Sequence, residues 1–484
     1  MASKSRQLHI VFLPQLAHGI LIPTVDMARL CARHGVKVTI ATTPLNAHLF
    51  AKTIQRDRES GFEISTYIIK FPSAEVGLPE GCENASSLTS QEMQTKFLKA
   101  ANLFQQPLEQ LLAELRPDCL VAGMMFTWAT DVASKFGIPR LVFHGTSCFS
   151  ISILDSVIRH APYKKIATDF EFFDVPGLPD QIKMTKMQLP DFIKEEEGSE
   201  RRKMLNEALE SERTSFGVIV NSFYELEPAY REHYSKVMGK KAWQVGPVSL
   251  CNKDSEDKAE RGNVASIDRH ECLRWLASKK PNSVLYICFG SLSRFSAAQL
   301  NEMAKGLEAS GQNFIWVVRK VNDEDKEEWL PEGFEERMEG KGLIIRGWAP
   351  QVLILDHDAV GGFMTHCGWN STLESITAGV PMVTWPLQAE QFFNEKLIVD
   401  VLKIGVCTGA KEWSRWADDT KIIVTSEDIE RAVTQLMVGE EGEKMRNRTR
   451  ELKDMARRVV EEGGSSYSDL NALLDELRLN CLPK

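Results

Sequence analysis

Residues Trp348–Gln391 read WAPQVLILDHDAVGGFMTHCGWNSTLESITAGVPMVTWPLQAEQ, and the reading of this stretch decides the fold. The apolar run Ala359–Thr365 predicts a short buried strand. A turn at His366, Cys367 and Gly368 follows, and Asn370 or Ser371 is available to cap a helix N-terminus. Gly379 and then Pro381 predict its end, because glycine takes the left-handed cap and proline cannot continue a helix. A strand, a glycine turn and a helix N-terminus in series make an anion site, since unpaired N–H groups and the helix dipole both favour negative charge. A diphosphate is the natural occupant. Trp348 offers a flat face for a base. Glu374 stands one turn into the helix, where a carboxylate accepts hydrogen bonds from ribose hydroxyls. Glu390 and Gln391 pair an acid with an amide, which suits the hydroxyls of a sugar. His366 can donate to phosphate and adds charge if protonated. Each residue taken alone is explained as well by core packing; the ordered set implies a nucleotide-sugar pocket.

Working outward, the first half of the chain alternates strands and helices. His9–Leu13, Val36–Thr42, Cys119–Ala122 and Leu141–His144 read as strands. Pro23–His34 and a segment ending at Phe136 read as helices. A second such series begins at Val284 and continues through the box to about Ala456. Alternation of this kind predicts parallel sheets covered by helices, an α/β class. At 484 residues the chain exceeds the size at which single cores stop growing, so two domains are expected. The boundaries read as residues 1–250 and 267–463, joined by the polar stretch CNKDSEDKAERGNVAS at 251–266.

Composition narrows the function. A net charge of −9, with no basic cluster, argues against a nucleic-acid surface. The ten cysteines are scattered without metal-ligand spacing, so no metal is expected and the thiols read as reduced, in a cytoplasmic protein. The N-terminal run LHIVFLPQLAHG is broken by Pro14, Gln15 and His18 and reads as a first strand rather than a signal peptide. No stretch approaches the roughly 20 apolar residues of a membrane span, so stable membrane insertion is not expected. There is no GxSxG elbow and no GxGxxG after a strand, which argues against hydrolase and dehydrogenase chemistry.

Nearly position for position, the box resembles the signature segment of plant family-1 UDP-dependent glycosyltransferases, the secondary-product glucosyltransferases. FPSAEVGLPEG at Phe71–Gly81, VPGLP at Val175–Pro179, VNSFYELE at Val220–Glu227 and CFGSL at Cys288–Leu292 extend the likeness over almost the whole chain. The resemblance implies the GT-B fold, two Rossmann-like doubly wound domains facing a cleft, with the acceptor on the first and the donor on the second. It implies that the C-terminal segment 464–484 carries a helix (Ser468–Leu479) that packs back on the first domain. Carried over residue by residue, it places Trp348 and the backbone of Ala349 on uracil, and Gln351 and Glu374 on the ribose. Ser291, His366, Asn370 and Ser371 fall on the diphosphate; Trp369, Glu390 and Gln391 fall on the sugar. A final Gln in this box goes with glucose, so UDP-glucose is the expected co-substrate, with no other cofactor. The expected activity is inverting transfer of glucose to a small lipophilic terpenoid, steroid or phenolic. Other biosynthetic enzymes are a further class of partner. A non-catalytic binding or scaffold protein derived from such an enzyme is the alternative.

The family places a catalytic His just after the first strand and pairs it with an Asp from a later loop. Here Ile20 stands at the base position and Gly123 at the acid position, while the flanks on both sides keep the family spacing. Losing both is more informative than losing one: an Asp left without its His would be a buried unpaired charge costing several kcal/mol. His18 is the candidate replacement base in the immediate sequence. His144, at the end of a strand, reads as structural. An acceptor already ionised near neutral pH would not need the ~10²–10⁴ in rate that a positioned base contributes.

Overall fold

The computed structural model describes residues 7–196, 198–319, 329–413 and 424–480. In chain order its strands are β1 His9–Leu13, β2 Lys37–Thr42, β3 Ile64–Ile68, β4 Cys119–Gly123, β5 Arg140–His144, β6 Phe172–Asp174, β7 Lys183–Thr185, β8 Gly217–Val220, β9 Ala242–Gln244, β10 Val284–Cys288, β11 Asn313–Val318, β12 Gly342–Arg346, β13 Val360–Thr365, β14 Met382–Thr384 and β15 Gly405–Cys407. They form a seven-stranded sheet in the order β3-β2-β1-β4-β5-β8-β9 and a six-stranded sheet in the order β12-β11-β10-β13-β14-β15. All their pairings are parallel; β6 and β7 form a separate antiparallel hairpin.

In each large sheet the first strand lies between the second and the fourth, so the winding reverses beside it. That reversal opens a crevice at the carboxyl ends of β1 and β4 in one sheet and of β10 and β13 in the other. Strands β1, β4, β5 and β13 are buried along their whole length, which is why they read as continuous apolar runs rather than alternating ones. Both sheets are Rossmann-like, and the architecture is GT-B.

The chain divides into two compact units. The first comprises residues 1–147, 195–262 and 459–484, and the second residues 148–194 and 263–458. Helix Ser465–Asn480 belongs to the first unit, where Leu470, Leu473, Leu474 and Leu477 are buried in the core beneath β1 and β2. Each such leucine is worth about 2 kcal/mol of burial. Residues 251–262, read from composition as part of a linker, lie within the first unit. The buried Arg29 guanidinium holds Asp57 at 2.5 Å, Asp257 at 2.6 Å and Asn252 at 2.5 Å, and Arg261 holds Asp26 at 2.8 Å. The charges that make this stretch look like a solvated linker are the ones that pin it down. Residues 148–194, which follow β5 and read as first-domain sequence, pack with the second unit instead.

The helix after β1 spans His18–Arg33, starting five residues before the expected Pro23. Its first turn closes because the Ala17 carbonyl accepts from the N–H groups of Ile20 and Leu21 at 2.9 and 2.8 Å, with Leu21 buried. His18 is therefore the first residue of a helix, not part of a free loop. No helix among the described residues is long and apolar enough to cross a membrane.

Candidate functional site

At the β10/β13 crevice, helix Trp369–Ala378 begins directly after Gly368, which serves as its N-cap residue without a side-chain capping bond. The expectation that Asn370 or Ser371 would cap it is corrected: both lie in the first turn. A short polar side chain normally relieves the free N–H groups there. Gly368 offers no such side chain, and the Trp369 N–H bonds the Glu390 carboxyl instead. The helix ends at Gly379 in the left-handed conformation (φ 76°), followed by Pro381, as expected.

His366 is set by its glycine neighbours. A Cβ added at Gly290 would stand 2.8 Å from the imidazole, and one at Gly368 would stand 2.5 Å from its Nε2. The ring thus fills the space that two side chains would otherwise take, one from the loop after β10 and one from the loop after β13. Its Nδ1 is buried with no hydrogen-bond partner, and so is the Ser293 hydroxyl nearby in sequence to Ser291. An orphaned buried polar atom costs about 1–3 kcal/mol, so two at one crevice suit a polyanionic ligand. Burial pushes the His366 pKa down to about 4. The unliganded ring is therefore neutral at pH 7 and can donate a hydrogen bond.

The residues assigned to the ribose are found together. Gln351 Nε2 donates to Glu374 Oε2 at 2.7 Å and to Ser371 Oγ at 3.1 Å, and the buried Tyr286 hydroxyl donates to Gln351 Oε1 at 3.4 Å. Trp348 is fixed through its backbone: its N–H donates to Ser266 Oγ at 3.0 Å and its carbonyl accepts from Ser266 N–H at 2.7 Å. Ala349, beside it, is buried.

Gln391 holds the loop before it. Its side-chain oxygen accepts from the N–H groups of Leu387 and Gln388, both at 2.9 Å, which turns its NH₂ group away as a donor. Burial raises the Glu390 carboxyl above its usual range, against hydrogen bonds that include one from the Asn394 side chain and one from the Trp369 backbone. Two non-glycine residues in left-handed conformation frame these groups, Cys367 (φ 64°) and Ala389 (φ 52°). Such residues cost on the order of 1–3 kcal/mol and persist where their surroundings over-determine them. Here Asn394 Nδ2 donates to the Cys367 carbonyl at 2.8 Å, and Trp413 Nε1 donates to the Ala389 carbonyl at 3.1 Å.

Asn394 is the principal residue that sequence reasoning missed. Besides Cys367 it reaches Glu390 Oε1 at 3.5 Å and accepts from Ser150 Oγ at 2.7 Å. It lies three residues beyond the box, one turn after Gln391 on helix Gln391–Lys396, and that spacing was the available signal. Ser293, two residues past Ser291, is the second such omission.

In the first unit, the crevice at β1 and β4 brings the loop Pro14–Ala17 beside the end of β4. A Cβ on Gly123 would meet Gln15 Cβ at 3.1 Å and its Oε1 at 3.4 Å. A Cβ on Gly145, just past β5, would lie 3.5 Å from both the Gly19 carbonyl and Ile20 Cγ1. Ile20 packs against the core, and His18 is buried at the start of its helix. His144 Nε2 lies 2.6 Å from Glu212 Oε2, a buried pair that sequence did not bring together.

The second unit thus sets a helix N-terminus near a clustered Gln, Glu and Ser and a braced acid–amide pair, an arrangement that suits a nucleotide sugar. The comparisons agree. The family described as UDP-glucoronosyl and UDP-glucosyl transferase matches residues 263–444. Scopoletin glucosyltransferase of Nicotiana tabacum is 55% identical over 97% of this chain and 98% of its own length. UDP-glucose flavonoid 3-O-glucosyltransferase 7 of Fragaria ananassa is 57% identical over 99% and 98%. The crystal structure of Glycyrrhiza uralensis UGT73P12 complexed with glycyrrhetinic acid 3-O-monoglucuronide superposes with a TM-score of 0.92 at 44% identity, covering 98% of this chain and 96% of that one. The chain belongs to the plant UDP-dependent glycosyltransferase family. It is an enzyme that transfers glucose from UDP-glucose, its co-substrate, to a small plant metabolite. The scaffold alternative is not favoured.

Proposed function

We propose that the second unit binds UDP-glucose and the first binds a lipophilic phenolic or terpenoid acceptor, with transfer inverting the anomeric carbon. In this reading Trp348 and Ala349 hold uracil, and Gln351 and Glu374 hold the ribose. Ser291, His366, Asn370 and Ser371 hold the diphosphate; Trp369, Glu390 and Gln391 hold glucose. The observation that carries it is the braced crevice at β10/β13, where His366 sits between two glycines and Gln391 presents an amide donor. The departing diphosphate gathers negative charge, and neutral donors fixed in place stabilise that charge without reorganising. Acceptor class is supported by relatives named for scopoletin and for flavonoids. Ile20 and Gly123 at the family's base and acid positions favour acceptors with an acidic hydroxyl. We also infer a cytoplasmic location, which the free cysteines among the described residues support.

The test is titration calorimetry with UDP, UDP-glucose and UDP-galactose on wild type and Glu390→Ala, with scopoletin and a flavonoid as acceptors for turnover. Glu390→Ala should weaken UDP-glucose at least tenfold and leave UDP unchanged. Preference for UDP-galactose, or equal weakening of UDP, would overturn the assignment.

A further inference from the structure

The carboxyl of Glu390 is braced by Asn394, and that brace depends on a residue far outside the donor segment. Asn394 is fully buried. Its Nδ2 group carries two hydrogens and meets two acceptors, the Cys367 carbonyl at 2.8 Å and Glu390 Oε1 at 3.5 Å. Its Oδ1 accepts from Ser150 Oγ at 2.7 Å. A carbonyl oxygen accepts and cannot donate, so Nδ2 must face Cys367, and the Ser150 hydroxyl must be the donor to Oδ1.

Ser150 lies in the first turn of helix Cys148–His160 and is 2% exposed. This helix, Cys367, Glu390 and Asn394 all belong to the second unit. Two residues further on, Ser152 is buried as well, but its hydroxyl donates to the Cys148 carbonyl of its own helix at 2.7 Å. That is the ordinary arrangement for a serine inside a helix. Ser150 directs its proton instead to an amide 244 residues away. Without that hydroxyl Oδ1 would lose its donor in a buried site, and the amide would be held from one side. The contact to Glu390, the longest of the three, would be the first to be lost, while the shorter bond to Cys367 keeps the phosphate turn in place. Besides Asn394, the Glu390 carboxyl accepts from the Trp369 N–H and from its own N–H, so Asn394 is the side chain among these donors.

We propose that Ser150 is a positioning residue for the donor sugar. Through Asn394 it sets the direction of the Glu390 carboxyl, and with it the enzyme's affinity for the glucose of UDP-glucose but not for UDP. The inference rests on the assignment of Glu390 to the sugar made above. The ribose cluster of Gln351, Glu374 and Ser371 is bonded separately from this relay.

The experiment titrates UDP-glucose and UDP calorimetrically into wild type, Ser150→Ala, Ser152→Ala, Glu390→Ala and the Ser150→Ala, Glu390→Ala double variant. Ser150→Ala should weaken UDP-glucose about five- to tenfold, the effect of one modest hydrogen bond. UDP should change less than twofold, and Ser152→Ala should move neither ligand. In the double variant the Ser150 substitution should add nothing to the loss from Glu390→Ala, because it acts through that carboxyl. A merely structural serine would weaken both ligands alike or shift neither, and either result would overturn the proposal, as would additive losses. If Ser150→Ala does not fold, Ser150→Cys decides. Its thiol fills the site but donates weakly, so UDP-glucose should weaken while UDP holds; an unchanged UDP-glucose affinity overturns the proposal. Failure of the underlying reading is distinct: Glu390→Ala alone would then bind UDP-glucose as wild type does.

Discussion

If His366 is aimed by the glycines around it, adding one methyl group at Gly368 should damage donor binding without touching the donor. The added Cβ would stand 2.5 Å from Nε2 and 2.9 Å from Cε1, where ordinary contact begins near 3.4 Å, so the ring must retreat by about 0.9 Å. Gly368 has φ −59°, a conformation alanine adopts without strain, so the effect reports on the ring and not on the backbone. A retreat of that size breaks a hydrogen bond, and one to a charged group is worth about 1.5–3 kcal/mol. The expected result is UDP binding weaker by about 10–150-fold for Gly368→Ala. Helix capping should also lose on the order of 1 kcal/mol, because alanine is a much poorer N-cap than glycine, and that loss is the same with or without the imidazole. The assay is calorimetric titration of UDP into wild type, Gly368→Ala, His366→Ala and the double variant, with Gly198→Ala as a control where no atom lies within 4 Å. The two site variants should be non-additive, since once the imidazole is gone the methyl group has nothing to displace. Full additivity, or an unchanged Kd in Gly368→Ala, would refute the reasoning.

Three further outcomes are expected. Asn394→Ala removes the donor to the Cys367 carbonyl and the acceptor of the Ser150 hydroxyl, and should cost about 1–3 kcal/mol in urea denaturation. It should also lower kcat/KM for UDP-glucose at least tenfold; normal turnover would contradict the bracing role. Glu395 is buried beside Thr384, and burial raises its pKa to about 7. Because the folded pKa lies above the unfolded one, its contribution is fully present below about pH 4.5 and is lost as pH rises through 7. Glu395→Gln should therefore lose less stability than wild type between pH 5 and pH 8, and parallel melting curves would refute this. Arg29→Ala would leave Asp57 and Asp257 buried without their shared cation, and should destabilise the protein by about 3–5 kcal/mol in urea denaturation. A loss below 1 kcal/mol would show that Arg33 and Arg56 suffice.

Much of the second unit was legible because its signals are local. The strand before His366 and the stop at Gly379 and Pro381 are fixed by steric rules acting over a few residues. Capping was misjudged because Asn370 and Ser371 have the right chemistry two and three residues too late, inside the first turn, while Gly368 takes the cap position itself. The start of helix His18–Arg33 was missed because Pro23 reads as a first-turn residue, whereas the buried Leu21 extends the helix upstream of it. The contacts of residues 251–262 were hidden for a different reason. Arg29 lies more than 220 residues from Asn252 and Asp257, and composition cannot show that their charges meet. The same blindness hid the pairing of His144 with Glu212, 68 residues apart on a strand and a helix. It also hid Asn394, whose partners Ser150 and Cys367 lie in separate segments.

The central claim is that this chain transfers glucose although Ile20 and Gly123 replace the family's base and acid. It is tested most directly by mass spectrometry of products from purified protein, UDP-glucose and a panel of acceptors running from acidic phenols to plain terpenoid alcohols. The account expects a hexose adduct on the phenols, formed fastest with the most acidic. Retained UDP-glucose binding with no adduct on any acceptor would contradict it.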